Sequence, residues 1–320
     1  MTGSRYVRPA LAMLAIMAFV LVGSDHLKEI SRITNAWWPG VLGIVIVHTL
    51  TLWLQGLTTK WGLDAFDRSI SAKESFGIFV LSSYTNLLLP RSGLGATAAY
   101  LHKVKQCSLI DYSTVVLVNS LLFVMACSAT GGAILGCQWL GQGIESPFWL
   151  QVAVAVFFVL SVLALVMRWN FLDQYTGPGH SLIARLNHAT QRLYRSGDRT
   201  MLRLGLAHVT LVFLRAIRFQ FAFWALGLNA PFLGVLFASV LGDLTFVIAF
   251  TPSALGFREA AVAMSAAQLG LPVSLALSVA VLDRLVFSLT VVCIAQFVIV
   301  CGIGPSGVGS SHAGSVESSS

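Results

Sequence analysis

The sequence predicts an all-α protein: a polytopic bundle of seven or eight transmembrane helices, with two broken or re-entrant segments arranged as an internal repeat. Three observations predict it. Hydrophobic residues make up 56% of the chain and charged residues only 10%, where a soluble domain carries roughly 25% charged residues. Apolar runs such as PFWLQVAVAVFFVLSVLALVM at 147–167 reach the ~20 residues needed to cross a hydrocarbon core of about 30 Å. Two further runs are interrupted in a matching way, at Pro90 and at Pro252.

The elements follow in order. The first apolar run, 10–23, comes after Arg5 and Arg8 in the manner of a signal peptide, but no clear small-x-small cleavage site follows it, so it reads as a retained helix. Spans are expected at 39–57, 76–89, 112–136, 147–167, 206–228, 232–251 and 273–301. Trp37, Trp38, Trp53 and Trp61 flank the span 39–57 as interfacial anchors, and His48 within it reads as a packed or hydrogen-bonded core histidine. Segment 76–89 is short, ~21 Å as a helix, and is diluted by Ser82, Ser83, Thr85 and Asn86. Whether it spans or re-enters decides between eight and seven crossings. Residues 1–301 thus form one membrane domain, and the Gly/Ser-rich tail 302–320 is expected to be disordered.

Charge sets the orientation. The connection 168–205 carries Arg168, Arg185, Arg192, Arg195, Arg199 and Arg203, whereas 137–146 carries no Lys or Arg. The positive-inside rule places 168–205 in the cytosol, in a multi-pass protein of the cytoplasmic membrane. The net charge of +7 belongs to such flanking segments, where it attracts anionic lipid. No basic patch is interleaved with aromatics on a soluble module, so nucleic acid is not an expected partner. The five Cys residues form no CxxC pair and read as small buried hydrophobes rather than as a metal site or disulfide framework.

The two interruptions share a grammar. LPRSGLGATAAYL (89–101) and TPSALGFREAAVAM (251–264) each run from a Pro through Leu-Gly into an Ala-rich short helix, and a long apolar helix follows. Interrupted hydrophobic segments in corresponding halves point to a central binding site. Charges at membrane depth point the same way, since each costs at least ~2.5–3.5 kcal/mol at the bilayer centre. Seven stand out: Arg215, Arg218, Asp243, Arg258, Glu259, Asp283 and Arg284. Arg215 and Arg218 share a helix face, with His208 nearly two turns before Arg215. One reading is that these charges pair internally and lock the helices together. The other is a cavity for a lipid phosphate, in which Arg258, Arg284 and Arg91 meet the phosphate beside helix N-termini. Glu259 and Asp283 would orient those arginines or read the headgroup, with Asn86, Asp243, Arg215 and Arg218 completing the site. No GxxxxGK[ST], HExxH or GxSxG motif occurs, so no catalytic residue, cofactor or metal is assigned.

These residues carry a resemblance to a known family. The stretch from Thr251 through Arg284 resembles the second signature of the lysylphosphatidylglycerol synthase transmembrane-region, or flippase-like, family, with Pro252, Gly256, Arg258, Glu259, Ala260, Gly270, Pro272 and Arg284 in the matching positions. Asn86, Pro90, Arg91 and Gly95 resemble the first signature. The chain departs from the family at Ala96–Ala99, where relatives carry a Glu and an Arg, and at Asn119 and Ser120, where they often carry a charged pair. The resemblance implies a lipid-handling membrane domain, fused in bifunctional relatives to a soluble aminoacyl-transfer domain. No such domain follows residue 301 in this sequence, so a stand-alone member is expected. The leading expectation is a translocase or binding protein for a lipid with an anionic headgroup, a phospholipid or a polyprenyl-phosphate sugar. An accessory subunit of an envelope glycosyltransferase, docking through 168–205, is the alternative. An integral-membrane transferase with Asp243 or Glu259 as general base is the third reading.

Overall fold

The computed structural model describes residues 36–89, 92–139, 148–166, 189–193, 197–248, 261–262 and 273–301. All regular structure among them is helical, and the protein is a helical membrane bundle. Run 10–23, Pro90, Arg91, the stretch 249–260 with Arg258 and Glu259, and the tail 302–320 lie outside the described residues. Eight helices are described: α1 Trp38–Asp64, α2 Ala72–Leu88, α3 Ser92–Lys105, α4 Leu109–Trp139, α5 Phe148–Val166, α6 Asp198–Ala225, α7 Phe232–Ile248 and α8 Val273–Val300. Among the described residues, α1, α6 and α8 and the Leu109–Cys137 part of α4 are long and apolar enough to cross a membrane, while α5 and α7 contain shorter apolar stretches.

The centre is the pair α1 and α6, with α4, α7 and α8 packed around α6. Small residues let these helices approach, because lipid offers no hydrophobic drive between them and contact must come from close packing. A Cβ added at Gly40 would lie 2.9 Å from the Ala225 backbone, and one at Gly43 would run into the Phe221 ring. At the same place the Trp37 N–H donates to the Ala225 carbonyl at 2.7 Å, tying the start of α1 to the end of α6. Further along α1, Gly56 admits the backbone of α2 at Phe76, and Gly62 admits Val115 of α4.

The two ends of the bundle differ in charge. Lys60, Arg68, Lys73, Lys103, Lys105, Arg192, Arg199 and Arg203 gather where α1 ends and α6 begins, and the Arg192 guanidinium lies over the Phe66 ring at 5.6 Å. At the opposite end the described residues include no Lys or Arg, and Trp37 and Trp38 stand exposed there. That asymmetry is what the positive-inside rule requires. The expected boundary at 205 moves, however: α6 begins at Asp198, so Arg199 and Arg203 ride on its first two turns.

Segment 76–89 re-enters. It is the inner part of α2, which starts at Ala72 behind a Ser71 cap that accepts from the Glu74 N–H at 3.1 Å. α2 rises ~25 Å, breaks after Leu88, and α3 returns beside it to the basic end. There Glu74 takes the Tyr100 hydroxyl at 2.7 Å and Lys105 Nζ at 3.0 Å, closing the hairpin's mouth. At its tip Ser92 Oγ donates to the Thr85 carbonyl, and Asn86 Oδ1 accepts from the Gly93 N–H, each at 2.8 Å. The Gly93 N–H belongs to the first turn of α3, where no acceptor exists within the helix, while the Thr85 carbonyl already takes the Leu89 N–H and gains a second donor in Ser92. Gly93 is required because any Cβ there would overlap the Ser82 carbonyl.

α7 leaves from the other end. The α6–α7 turn closes on Gly227 at φ 72°, with Leu228 N–H returning to the Phe223 carbonyl, a glycine-terminated helix end. α8 also starts at that end, where Ala276 and Val279 pack with Phe223 and Ala230, and runs to the basic end, where Val298 joins Leu52 and Val80. α2 and α7 therefore enter the bundle from opposite ends, the disposition an inverted repeat requires. The cysteine expectation holds in part. Cys107 and Cys127 are buried, and burial followed by the Asp111 charge pushes the Cys107 thiol up, but Cys137, Cys293 and Cys301 stand exposed.

Gly93 supplies a test of the hairpin tip. Gly93→Val is expected to cost about 1–3 kcal/mol as overpacking, read as a lower unfolding midpoint in detergent. Gly95→Val, two residues on with nothing within 4 Å of its Cβ position, should leave the midpoint unchanged.

Candidate functional site

Among the described residues, two ion pairs sit at membrane depth, and both hang from α6. Arg218 lies seven residues from the helix end, ~10 Å down. Its Nη2 donates to Asp283 Oδ2 of α8 at 2.9 Å, and its Nε lies 2.8 Å from Oδ1. The side chains are 4% and 1% exposed, so this pair is sealed inside the bundle. Its Nη1 reaches His48 Nδ1 of α1 at 3.2 Å. Arginine has no acceptor, so Nδ1 presents its lone pair and the imidazole proton sits on Nε2. The Phe287 ring covers both, 4.4 Å from the His48 ring and 5.6 Å from the guanidinium.

Arg215 is held differently. A single contact, Nη1 to Asp243 Oδ1 at 3.1 Å, joins it to α7, and its guanidinium lies over the Phe123 ring at 4.4 Å. Asp243 is buried, yet its Oδ2 takes no hydrogen bond. Arg215 is 16% exposed, four times as much as Arg218, and it faces a cavity.

That cavity, about 220 Å³, is walled by α1, α2, α3, α4 and α6. Its lining mixes apolar groups with Gln55, Ser82, Thr97, Asn119 and His208, and Arg215 is the one charged residue among the described residues that line it. His208 Nε2 lies 3.0 Å from Asn119 Oδ1. The carboxamide oxygen thereby fixes Nε2–H and leaves Nδ1 as an acceptor, which has no hydrogen-bond partner. The place where the resemblance led one to expect a charged pair thus holds a neutral Asn119–His208 pair. No group of three potential metal ligands occurs among the described residues.

The nine residues singled out from the sequence therefore separate. Arg218 and Asp283 form the sealed pair, and Arg284, one residue on, is half-buried. Arg215 and Asp243 form the cavity-side pair. Arg215 and Arg218 do share a stretch of α6, but they part to different helices. Asn86 stands at the hairpin tip with its oxygen committed to Gly93. Arg91, Arg258 and Glu259 lie outside the described residues. Sequence reasoning placed His48 in the core without finding its arginine, because the two are 170 residues apart. It also gave no role to Phe123 and Phe287, since ring–cation contacts leave no spacing signal in sequence.

With the geometry in place, comparison with known proteins gives one result. A family model described as lysylphosphatidylglycerol synthase TM region matches residues 7–295, nearly the whole chain. No curated protein and no solved structure matches the chain.

The sealed pair should behave as structure. Removing one partner leaves an uncompensated buried charge, so Asp283→Leu or Arg218→Met alone is expected to cost about 3–5 kcal/mol. The double replacement should cost much less than either single change, and a double-mutant cycle on unfolding midpoints in detergent measures the difference.

Proposed function

This chain belongs to the lysylphosphatidylglycerol synthase TM region family, a membrane protein of the lipid and envelope kind, and from that premise we propose that it binds an amphiphile with an anionic headgroup and carries it across the bilayer. The headgroup would be that of a phospholipid or of a polyprenyl-phosphate-linked sugar. The observation that supports this most is the Arg215 arrangement: a guanidinium beside a cavity of mixed polar and apolar lining, inside apolar helices, held by one contact to a carboxylate that has an oxygen to spare.

Such an arginine can be shared between Asp243 and an entering phosphate at little cost in desolvation, since guanidinium is weakly hydrated and built for two-pronged contacts with oxyanions. Headgroup hydroxyls would find His208 Nδ1 and the threonine and serine hydroxyls of the wall. Arg258 and Arg91 would add phosphate contacts from the two broken segments, with Glu259 orienting Arg258 and Arg284 approaching from α8. Rearrangement of those segments about the cavity would carry the headgroup from one side to the other.

A second reading rests on the basic end. Arg192, Arg199 and Arg203 are exposed there, and a docking role for 168–205 toward an envelope glycosyltransferase would use them. That role predicts dependence on these arginines and indifference to the cavity.

The test is native mass spectrometry of gently purified protein. Wild type is compared with Arg258→Ala and with Arg215→Gln/Asp243→Asn, which removes the cation without stranding the acid. A phosphate-bearing lipid should co-purify with wild type and fall ~10-fold or more in both variants, as expected for loss of a charge-assisted contact of ~1.5–3 kcal/mol. Identical lipid in all three, with folding intact, would overturn the assignment and favour docking.

A further inference from the structure

A second cavity lies apart from the first, at the end of the bundle that carries no Lys or Arg among the described residues. Its volume is about 660 Å³, and it is formed by the last turns of α6, the α6–α7 turn and the start of α7. This is within the range of small-molecule sites. Phe221, Trp224, Pro231 and Phe232 give it aromatic and apolar walls, Gln220 and Asn229 are its polar members, and no charged residue lines it among the described residues.

Gln220 is the unusual member. It is only 6% exposed, in a helix otherwise facing lipid or helices at this level. Its Nε2 donates to the Ala230 carbonyl at 3.1 Å. A carbonyl can only accept, so the amide cannot be turned round. Oε1 is thereby fixed as an acceptor on the other side, and it is buried with no hydrogen-bond partner. A buried acceptor left without a donor is a costly arrangement in a native structure, and calls for an occupant or a role.

Depth and chemistry define that occupant. Gln220 lies five residues before Ala225, ~7.5 Å below the helix end, under the exposed Trp37, Trp38 and Trp224, whose aromatic belt marks the headgroup level. A group at this depth belongs to the polar base of a lipid, not to its tail. The walls offer no countercharge for a phosphate or an ammonium. We propose that this cavity is a binding site for a neutral lipid with a free hydroxyl, whose O–H donates to Gln220 Oε1 while its chain follows α6 past Ile217 toward Phe213. Trp224 and Ile217 are partly exposed members of the cavity wall, and the side chains around Oε1 must part to admit the hydroxyl. The site is separate from the Arg215 cavity and independent of the reading given for it.

The test uses a matched pair of probes, a diacylglycerol and its 3-O-methyl ether, which differ only in the donor hydrogen and one methyl group. Each is added to detergent-purified protein, and bound lipid is counted by native mass spectrometry. Wild type should retain the free alcohol at least ~5-fold better than the ether, the size expected for one buried hydrogen bond. Gln220→Leu should lose the preference, and Trp224→Ala should keep it while binding both probes more weakly. Equal binding of alcohol and ether by wild type would overturn the proposal, with water or detergent then satisfying Oε1. A preference that survives in folded Gln220→Leu would also overturn it, by placing the hydroxyl elsewhere. The wild-type comparison stands even if a variant fails to fold.

Discussion

The fold hangs on a charge that lipid will not tolerate alone. Arg218 is buried within the apolar bundle, and Asp283 and His48 reach it there from two other helices. Ionic contacts of this kind act over short distances and need good geometry, so they fix rotation and depth as well as proximity. α8 cannot rotate on its axis without losing Asp283, and α1 cannot slide without losing His48. The Gly40 contact and the Trp37–Ala225 hydrogen bond repeat that constraint at the helix ends. Helices α1, α6 and α8 are thus registered to one another by polar chemistry, and the apolar surfaces between them fill in around it.

The same helix carries the opposite arrangement three residues earlier. Arg215 makes one polar contact where Arg218 makes several, and its partner's second oxygen is left over. One turn of helix is enough to separate a deeply buried pair from a pair that faces open space. The difference follows from position. Arg218 faces the packed seam toward α1 and α8, while Arg215 faces the space that the α2–α3 hairpin leaves between α1 and α4. The hairpin lines that space with Ser75, Ile78 and Ser82 on its way in and with Leu94, Thr97 and Leu101 on its way back, so the cavity lies beside the hairpin and not beyond its tip.

Much of this was legible in the sequence, and the boundary of what was not is physical. Spans could be read from apolar length, the basic end from arginine placement, and the burial of His48 from its place in the middle of a run. Seven charges in apolar context could be recognised as important. Their pairing could not, because charge tells nothing about which helix a partner stands on: Arg218 meets Asp283 across 65 residues and His48 across 170. Both expectations for the charges, pairing and binding, were stated as rivals, and the described charges show that pairing by itself does not decide between them. Arg215 is paired and still faces open space. The α6 start was misplaced by two turns because Asp198, Arg199 and Arg203 made those turns look like loop, although a helix end outside the hydrocarbon core is free to be polar.

The hairpin tip shows how a break in a membrane helix is built, and it changes the meaning of Asn86. Irregular backbone within a membrane is tolerated only where protein satisfies its freed groups. Here the Gly93 N–H is met by Asn86 Oδ1, Ser92 Oγ adds a second donor to the Thr85 carbonyl that the Leu89 N–H already caps, and the close approach of the two helices is allowed by the missing side chain of Gly93. Pro90 forbids a continuous helix, but a proline alone would kink a helix and leave the two halves roughly in line. Reversal needs the extra acceptor, the extra donor and the small residue at fixed positions. Asn86 therefore takes part in making the turn, with one lone pair of its carboxamide oxygen committed to the Gly93 N–H. A residue that resembles a signature near a helix break is thus also part of the architecture of that break. Among the described residues, the cation that faces the cavity comes from α6, outside both signature stretches.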